Sequence, residues 1–215
     1  MGLLRVDGNQ IENANGETYS AAGMSMFWSG FERNGGAFYD SRVVDHLAQN
    51  WGIEVIRAAM AVEEADGETV NNKDANFPAA LSVNPNGSGY YNDPEGELEK
   101  IKTIIDAAIA NDIYVIVDFH SHFAHFFKDE AITFFTEIAT TYGDNDHIIY
   151  EIFNESIGLA DNRANGSDND AFDQFTQTWG TIIKAYAIDV INAIRAIDPD
   201  NLIVVGTPGF SQGVL

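Results

Sequence analysis

The chain has 215 residues, 45% of them hydrophobic and 12% aromatic, enough to bury the core of one domain. Its 33 acidic residues against 11 basic ones give a formal net charge of -22, which repels phosphate backbones and anionic membranes and leaves a neutral polymer unopposed. It contains no cysteine, which excludes disulfides and thiolate chemistry and leaves the compartment open. No stretch reaches the roughly 20 apolar residues of a membrane-spanning helix, and Met1-Gly2-Leu3-Leu4 lacks the basic and apolar regions of a signal peptide.

Residues 1–20 predict a small hairpin, with strands over 3–6 and 10–12, a turn at Asp7-Gly8 and a second turn at Asn15-Gly16. Strands and helices then alternate. Residues 21–26 predict the first strand of the main sheet, and 40–49 an amphipathic helix with Val43, Val44 and Leu47 on one face. The second strand, 53–57, ends on Arg57, and an Asn-, Gly- and Pro-rich loop follows over 63–94, too long for a mere connector. Residues 98–110 read as a helix, with Ile101, Ile104, Ile105 and Ala108 inside. The third strand, 113–120, is continuously apolar up to Asp118, as strands buried on both faces are. A helix over 130–142, a fourth strand over 148–154, a polar loop over 160–170, a long helical region to Ile197 and a fifth strand over 202–205 complete the chain.

Strand–helix alternation with apolar strands implies an α/β fold, a parallel sheet covered by helices. Neither Gly-x-Gly-x-x-Gly nor Gly-x-x-x-x-Gly-Lys follows an early strand, which removes the nucleotide-binding reason for an open doubly wound sheet. Polar groups instead end several strands in succession: Arg57, His120, Asn154-Glu155 and Thr207. Barrels gather their catalytic residues from the ends of different strands in this way. The expected architecture is therefore a partial (β/α)8 barrel, one domain over 1–215 with five parallel strands and the N-terminal hairpin.

The run Ile148-Ile149-Tyr150-Glu151-Ile152-Phe153-Asn154-Glu155 carries the chemistry. An apolar strand has no structural reason to finish on a carboxylate. At the rim of a parallel strand, loops can wall off water and raise the carboxyl pKa, and the adjacent amide can hold a sugar hydroxyl. Such a pair suits cleavage of a glycosidic bond, in which a carboxylic acid protonates the leaving oxygen. His120 and His122 lie two apart, as metal ligands on one strand face do, but only His46, His125 and His147 remain to complete a set. Neither a metal nor another cofactor is expected. The acidic loop over 161–170 lacks the spacing of an EF-hand.

Several segments together resemble glycoside hydrolase family 5, in particular its bacterial endoglucanases. These are Ile56-Arg57-Ala58-Ala59-Met60, Tyr114-Val115-Ile116-Val117-Asp118-Phe119-His120-Ser121-His122, Tyr150 to Glu155, and Asp198-Pro199-Asp200-Asn201-Leu202-Ile203-Val204-Val205-Gly206-Thr207-Pro208. The resemblance implies retaining cleavage of β-1,4-glucan by a secreted protein. It implies Glu155 as general acid/base, Asn154 on the sugar 2-hydroxyl, Arg57 supporting the carboxylates and His120 lining the subsite. His122, Trp28 and Phe210 are the expected substrate-binding side chains. The chain departs from the family pattern at Ser121, where an aspartate is common, at Ser156, where a proline is, and at Phe210, where a tryptophan is.

The resemblance also places the attacking glutamate on a seventh strand, past Leu215, so the chain reads as five βα units with weak or no turnover alone. Glu151 is no substitute, since it lies roughly 13 Å from Glu155 along one strand at ~3.3 Å per residue. Retention needs carboxyls about 5–5.5 Å apart. Glu63 and Glu64 are the remaining candidates. The competing readings are a non-catalytic β-glucan-binding protein and a self-assembling barrel fragment. Five strands leave two unpaired edges, which invite a homodimer or other self-assembly.

Overall fold

The computed structural model describes residues 1–31, 35–63, 87–156, 179–208 and 211. Two short strands, β1 (Arg5–Asp7) and β2 (Gln10–Glu12), pair antiparallel with Val6 opposite Ile11, forming the expected hairpin. The remaining strands form one parallel sheet in the order β3 (Gly23–Ser25), β4 (Val55–Ala61), β5 (Tyr114–His120), β6 (Ile148–Glu151), β7 (Leu202–Val204). Sequential, all-parallel neighbours with a helix between most of them are the pattern of a barrel wall, and the fold is a partial (β/α)8 barrel.

The first two helices start where an aspartate satisfies a free N–H group of the first turn. The Asp40 carboxylate accepts from Arg42 N–H at the head of α1 (Ser41–His46). This helix continues as a wider turn, Leu47–Trp51, and stops at Gly52, whose left-handed φ of 67° suits glycine. Asp93 caps α2 (Pro94–Ala110), accepting from Gly96 N–H at 3.0 Å with proline in the first turn. Helix α2 thus begins four residues before the expected Leu98. Helices α3 (Lys128–Tyr142) and α4 (Lys184–Arg195) bury stripes spaced three and four apart: Ala131, Phe134, Phe135 and Ile138, and Tyr186, Ala187, Val190 and Ile194.

Alternation along the strands sends one set of side chains to the helices and the other into the concave side. Ile56, Ala58 and Met60 of β4, Val115, Val117 and Phe119 of β5, and Ile148 and Tyr150 of β6 join the main core with Phe134, Phe135 and Ile138. The opposite set begins with an apolar floor, in which Tyr114 and Ile149 pack with Leu4, Tyr19, Val55, Ile116 and Leu202. The N-terminal segment is stitched to this floor by the Tyr114 hydroxyl, which donates to the Gly2 carbonyl. Above the floor the same face turns polar.

Two strand boundaries differ from expectation. Strand β4 does not end at Arg57 but runs on to Ala61, because Ala58 to Ala61 are apolar, stay buried and keep pairing with Val117 to His120 of β5. Strand β6 ends at Glu151, so Asn154 and Glu155 stand beyond it and not as its last residues. The loop over 160–170, Glu64 and Phe210 lie outside the described residues.

Candidate active site

The polar layer is built on register. Strand pairing sets Arg57 against Ile116, Ala59 against Asp118 and Asp118 against Glu151. Asp118 and Glu151 therefore share one level of the concave side, with Arg57 one level below and His120 one above. The Arg57 guanidinium forks onto Glu151, with Nε to Oε2 at 2.6 Å and Nη2 to Oε1 at 3.0 Å. Its Nη2 also lies 2.7 Å from Asp118 Oδ2 and donates to Asn154 Oδ1 at 2.7 Å. One cation thus faces two carboxylates and orients the amide. Asp118 is completely buried, and burial pushes its carboxyl up to about 7 against the lowering pull of Arg57. Glu151 is raised by its own burial and by Asp118, again opposed by Arg57.

His120 shares the second side of this cluster. Its Nδ1 faces Asp118 Oδ2, and Asn154 Nδ2 donates to its Nε2 at 3.4 Å. These two partners select the neutral tautomer with the proton on Nδ1. Burial, together with the positive charge of Arg57, pushes the imidazole down to about 3, so the ring is neutral at ordinary pH. Asn154 is therefore held at both ends, its oxygen by Arg57 and its nitrogen by His120.

Glu155 follows and behaves differently. Its side chain is 52% exposed, so among the described residues the water-excluding wall expected around it is not present. The backbone there is nonetheless fixed. The Tyr186 hydroxyl donates to the Ile152 carbonyl at 2.6 Å, and the Ser156 hydroxyl donates to the Thr207 carbonyl at 2.8 Å. Gly206 permits this contact, since a Cβ there would sit 2.3 Å from the Asn154 carbonyl oxygen. His122 reaches Glu155 from the neighbouring strand end, with Nδ1 at 3.0 Å from its backbone carbonyl and 4.0 Å from Oε2. The Trp28 ring stands 4.4 Å from His120 and 5.6 Å from His122, edge-on and tilted, so it borders the same rim.

Six of the seven expected site residues thus meet at one end of the sheet: Arg57, His120, Asn154, Glu155, His122 and Trp28. The seventh, Phe210, lies outside the described residues. Sequence reasoning missed Asp118 as the hub, although its spacing of two from His120 signals a shared face. It also considered Glu151 only as a nucleophile, where the structure shows it bound by Arg57. Glu63, buried past the end of β4, accepts from the Ser121 hydroxyl at 2.9 Å. Among the described residues no group of three or more His, Asp or Glu is placed to hold a metal ion, and no helix is long and apolar enough to cross a membrane.

The sequence and the fold of this chain are matched by known proteins. Endoglucanase Z of Dickeya dadantii is 40% identical over 211 residues, which are 98% of this chain and 40% of that protein. An endoglucanase of Clostridium saccharobutylicum is 36% identical over 99% of this chain and 39% of its own length. Among solved structures, a protein from Cytophaga hutchinsonii superposes with a TM-score of 0.76 at 36% identity, covering 98% of this chain and 55% of that one. The catalytic domain of a Thermobifida fusca endoglucanase gives 0.71 at 28% identity, with the same coverage. The chain spans about two fifths of the length of these curated relatives and just over half of these solved chains. The model of the cellulases, glycosyl hydrolase family 5, matches residues 12–214. With that match over nearly its whole length, the chain belongs to the cellulase family, glycosyl hydrolase family 5.

Proposed function

We propose that the chain carries the acid/base side of a retaining endo-β-1,4-glucanase site acting on cellulose or a related β-glucan. The observation that carries this reading is the pair Asn154-Glu155, with the amide clamped between Arg57 and His120 and the next carboxylate projecting into solvent. Glu155 is the group that protonates the leaving oxygen. The Asn154 amide, fixed at both ends, is set to hydrogen-bond a sugar hydroxyl, and Trp28 and His122 border the cleft where a glucosyl ring would lie. Arg57, Asp118 and Glu151 hold this frame.

Retention also requires a second carboxylate about 5–5.5 Å from the first. Glu151 is committed to Arg57 and Glu63 is buried against Ser121. Turnover by these 215 residues alone is accordingly proposed to be weak. The endoglucanase names of the relatives support a β-glucan as substrate, and a secreted setting is part of the same proposal. Self-association belongs to the same proposal. Among the described residues β3 and β7 each have one neighbour in the sheet, and their Met24 and Val204 are 41% and 43% exposed.

Release of reducing ends from carboxymethylcellulose tests the assignment. Glu155→Gln is expected to lower the rate about 10²-fold or more, the scale of general acid catalysis. Unchanged turnover in that variant refutes the role of Glu155. Binding of cello-oligosaccharide without any release moves the reading to a non-catalytic β-glucan-binding protein.

A further inference from the structure

Glu63 is a buried carboxyl that the proposed reaction does not use. It lies two residues past the end of β4 and is 4% exposed. Oε1 accepts the Ser121 hydroxyl at 2.9 Å, while Oε2 is buried with no hydrogen-bond partner. A carboxyl so placed is unfavourable unless held neutral, and burial pushes it up to about 7. Fold stability alone gives no reason for an acid at this position, because one of its two buried oxygens is left without a partner.

What Glu63 touches leads directly to the site. The Ser121 oxygen also accepts the Phe123 N–H at 2.8 Å, which closes the turn over 121–123. His122 is the middle residue of that turn. Its Nδ1 meets the Glu155 carbonyl at 3.0 Å, and its ring stands beside Trp28. A serine hydroxyl has one proton and rotates freely. With that proton directed to Glu63, its lone pairs point to Phe123 N–H and the turn has a single geometry. The backbone supports the same junction through Val62 N–H, which donates to the His120 carbonyl at 3.3 Å.

We propose that Glu63 is a positioning residue: through the Ser121 hydroxyl it fixes the turn over 121–123, and so the orientation and tautomer in which His122 meets Glu155 and Trp28. The consequence for sugar binding rests on the functional reading above, whereas the consequence for His122 does not. The Nδ1 contact with a carbonyl requires the proton on Nδ1, the tautomer that a neutral imidazole in water disfavours. Loosening the turn therefore returns His122 to the Nε2–H form. Glutamine at position 63 keeps an oxygen to accept the Ser121 hydroxyl, so it preserves the arrangement. Alanine removes the acceptor.

Nitrogen-15 spectra of the histidine rings in the full chain at pH 8.5 test this, together with titration by cellohexaose. Wild type and Glu63→Gln are expected to hold His122 mainly as Nδ1–H, while Glu63→Ala and Ser121→Ala shift it to mainly Nε2–H. Cellohexaose affinity is expected to fall about tenfold in the two alanine variants and to stay within about twofold in Glu63→Gln. If Glu63→Ala does not fold, Ser121→Ala, which leaves the buried acid in place, carries the comparison. An unchanged His122 tautomer in Ser121→Ala, or a Glu63→Gln variant that behaves like Glu63→Ala, overturns the proposal. Absence of cellohexaose binding in wild type, with the tautomers following the expected pattern, removes the glucanase reading and leaves the positioning role standing.

Discussion

Replacing Arg57 by methionine removes the cation shared by Asp118 and Glu151 while keeping most of its apolar stem. Asp118 is fully buried and lies 2.7 Å from Arg57, and Glu151 accepts two bonds from the guanidinium. Taking one partner from a buried ion pair destabilises by about 3–5 kcal/mol, because the remaining charge is left without compensation. Most of that loss belongs to Asp118, since Glu151 retains some contact with water. A fold of this size has a net stability of about 5–15 kcal/mol, so the change is a large fraction of the total.

The sign with pH follows from the carboxyls. Both are already raised by burial with Arg57 pulling them down, and without Arg57 they rise further. An acid with a raised folded pKa contributes its full stability below the unfolded value of roughly 4 and loses it as pH climbs through the folded one. The Arg57→Met deficit is therefore expected to be greatest near pH 8 and to shrink at pH 5, where Asp118 takes up a proton. Urea denaturation followed by circular dichroism at the two pH values measures it. Asp118→Asn added to Arg57→Met should recover a large part of the loss at pH 8. A deficit equal at both pH values, with no recovery from Asp118→Asn, refutes the idea that an uncompensated carboxylate is its cause.

Two further outcomes are expected. The Glu63 carboxyl moves from 4.5 to about 7 on folding, which at about 1.4 kcal/mol per tenfold amounts to about 3 kcal/mol of stability lost between pH 4 and pH 8. Glu63→Gln should remove that part of the slope in urea midpoints measured across the range, and an unchanged slope would place the titration elsewhere. Sedimentation at micromolar concentration should show dimers or larger species if the exposed edges of β3 and β7 pair, whereas a cooperatively melting monomer would rule out edge-driven assembly.

Much of this molecule is legible before folding. The continuous apolar run of β5 marks a strand buried on both faces, the spacing of Ile101, Ile104, Ile105 and Ala108 marks the buried stripe of α2, and the carboxylate after an apolar run marks Glu155 as a candidate. All of these are local: periods of two and 3.6 follow from backbone geometry within a few residues. Boundaries were less legible. Arg57 looked like a strand end because charge usually marks one, yet β4 runs past it. The arginine has carboxylates to face across the concave side, and small alanines follow it.

The contents of the polar layer were decided only by tertiary structure. Arg57 and Glu151 are 94 residues apart, and Glu63 and Ser121 are 58 apart. Sequence gives each of them a face but not an opposite number. Register supplies that, pairing Ala59 with Asp118 and Asp118 with Glu151 across three strands. A slip of one residue would turn Asp118 toward the helices and away from Arg57. The exposure of Glu155 is of the same kind. Whether a carboxylate is walled off depends on which loops converge over it, and that is settled by how the strands curve together, a property no single segment of the chain contains.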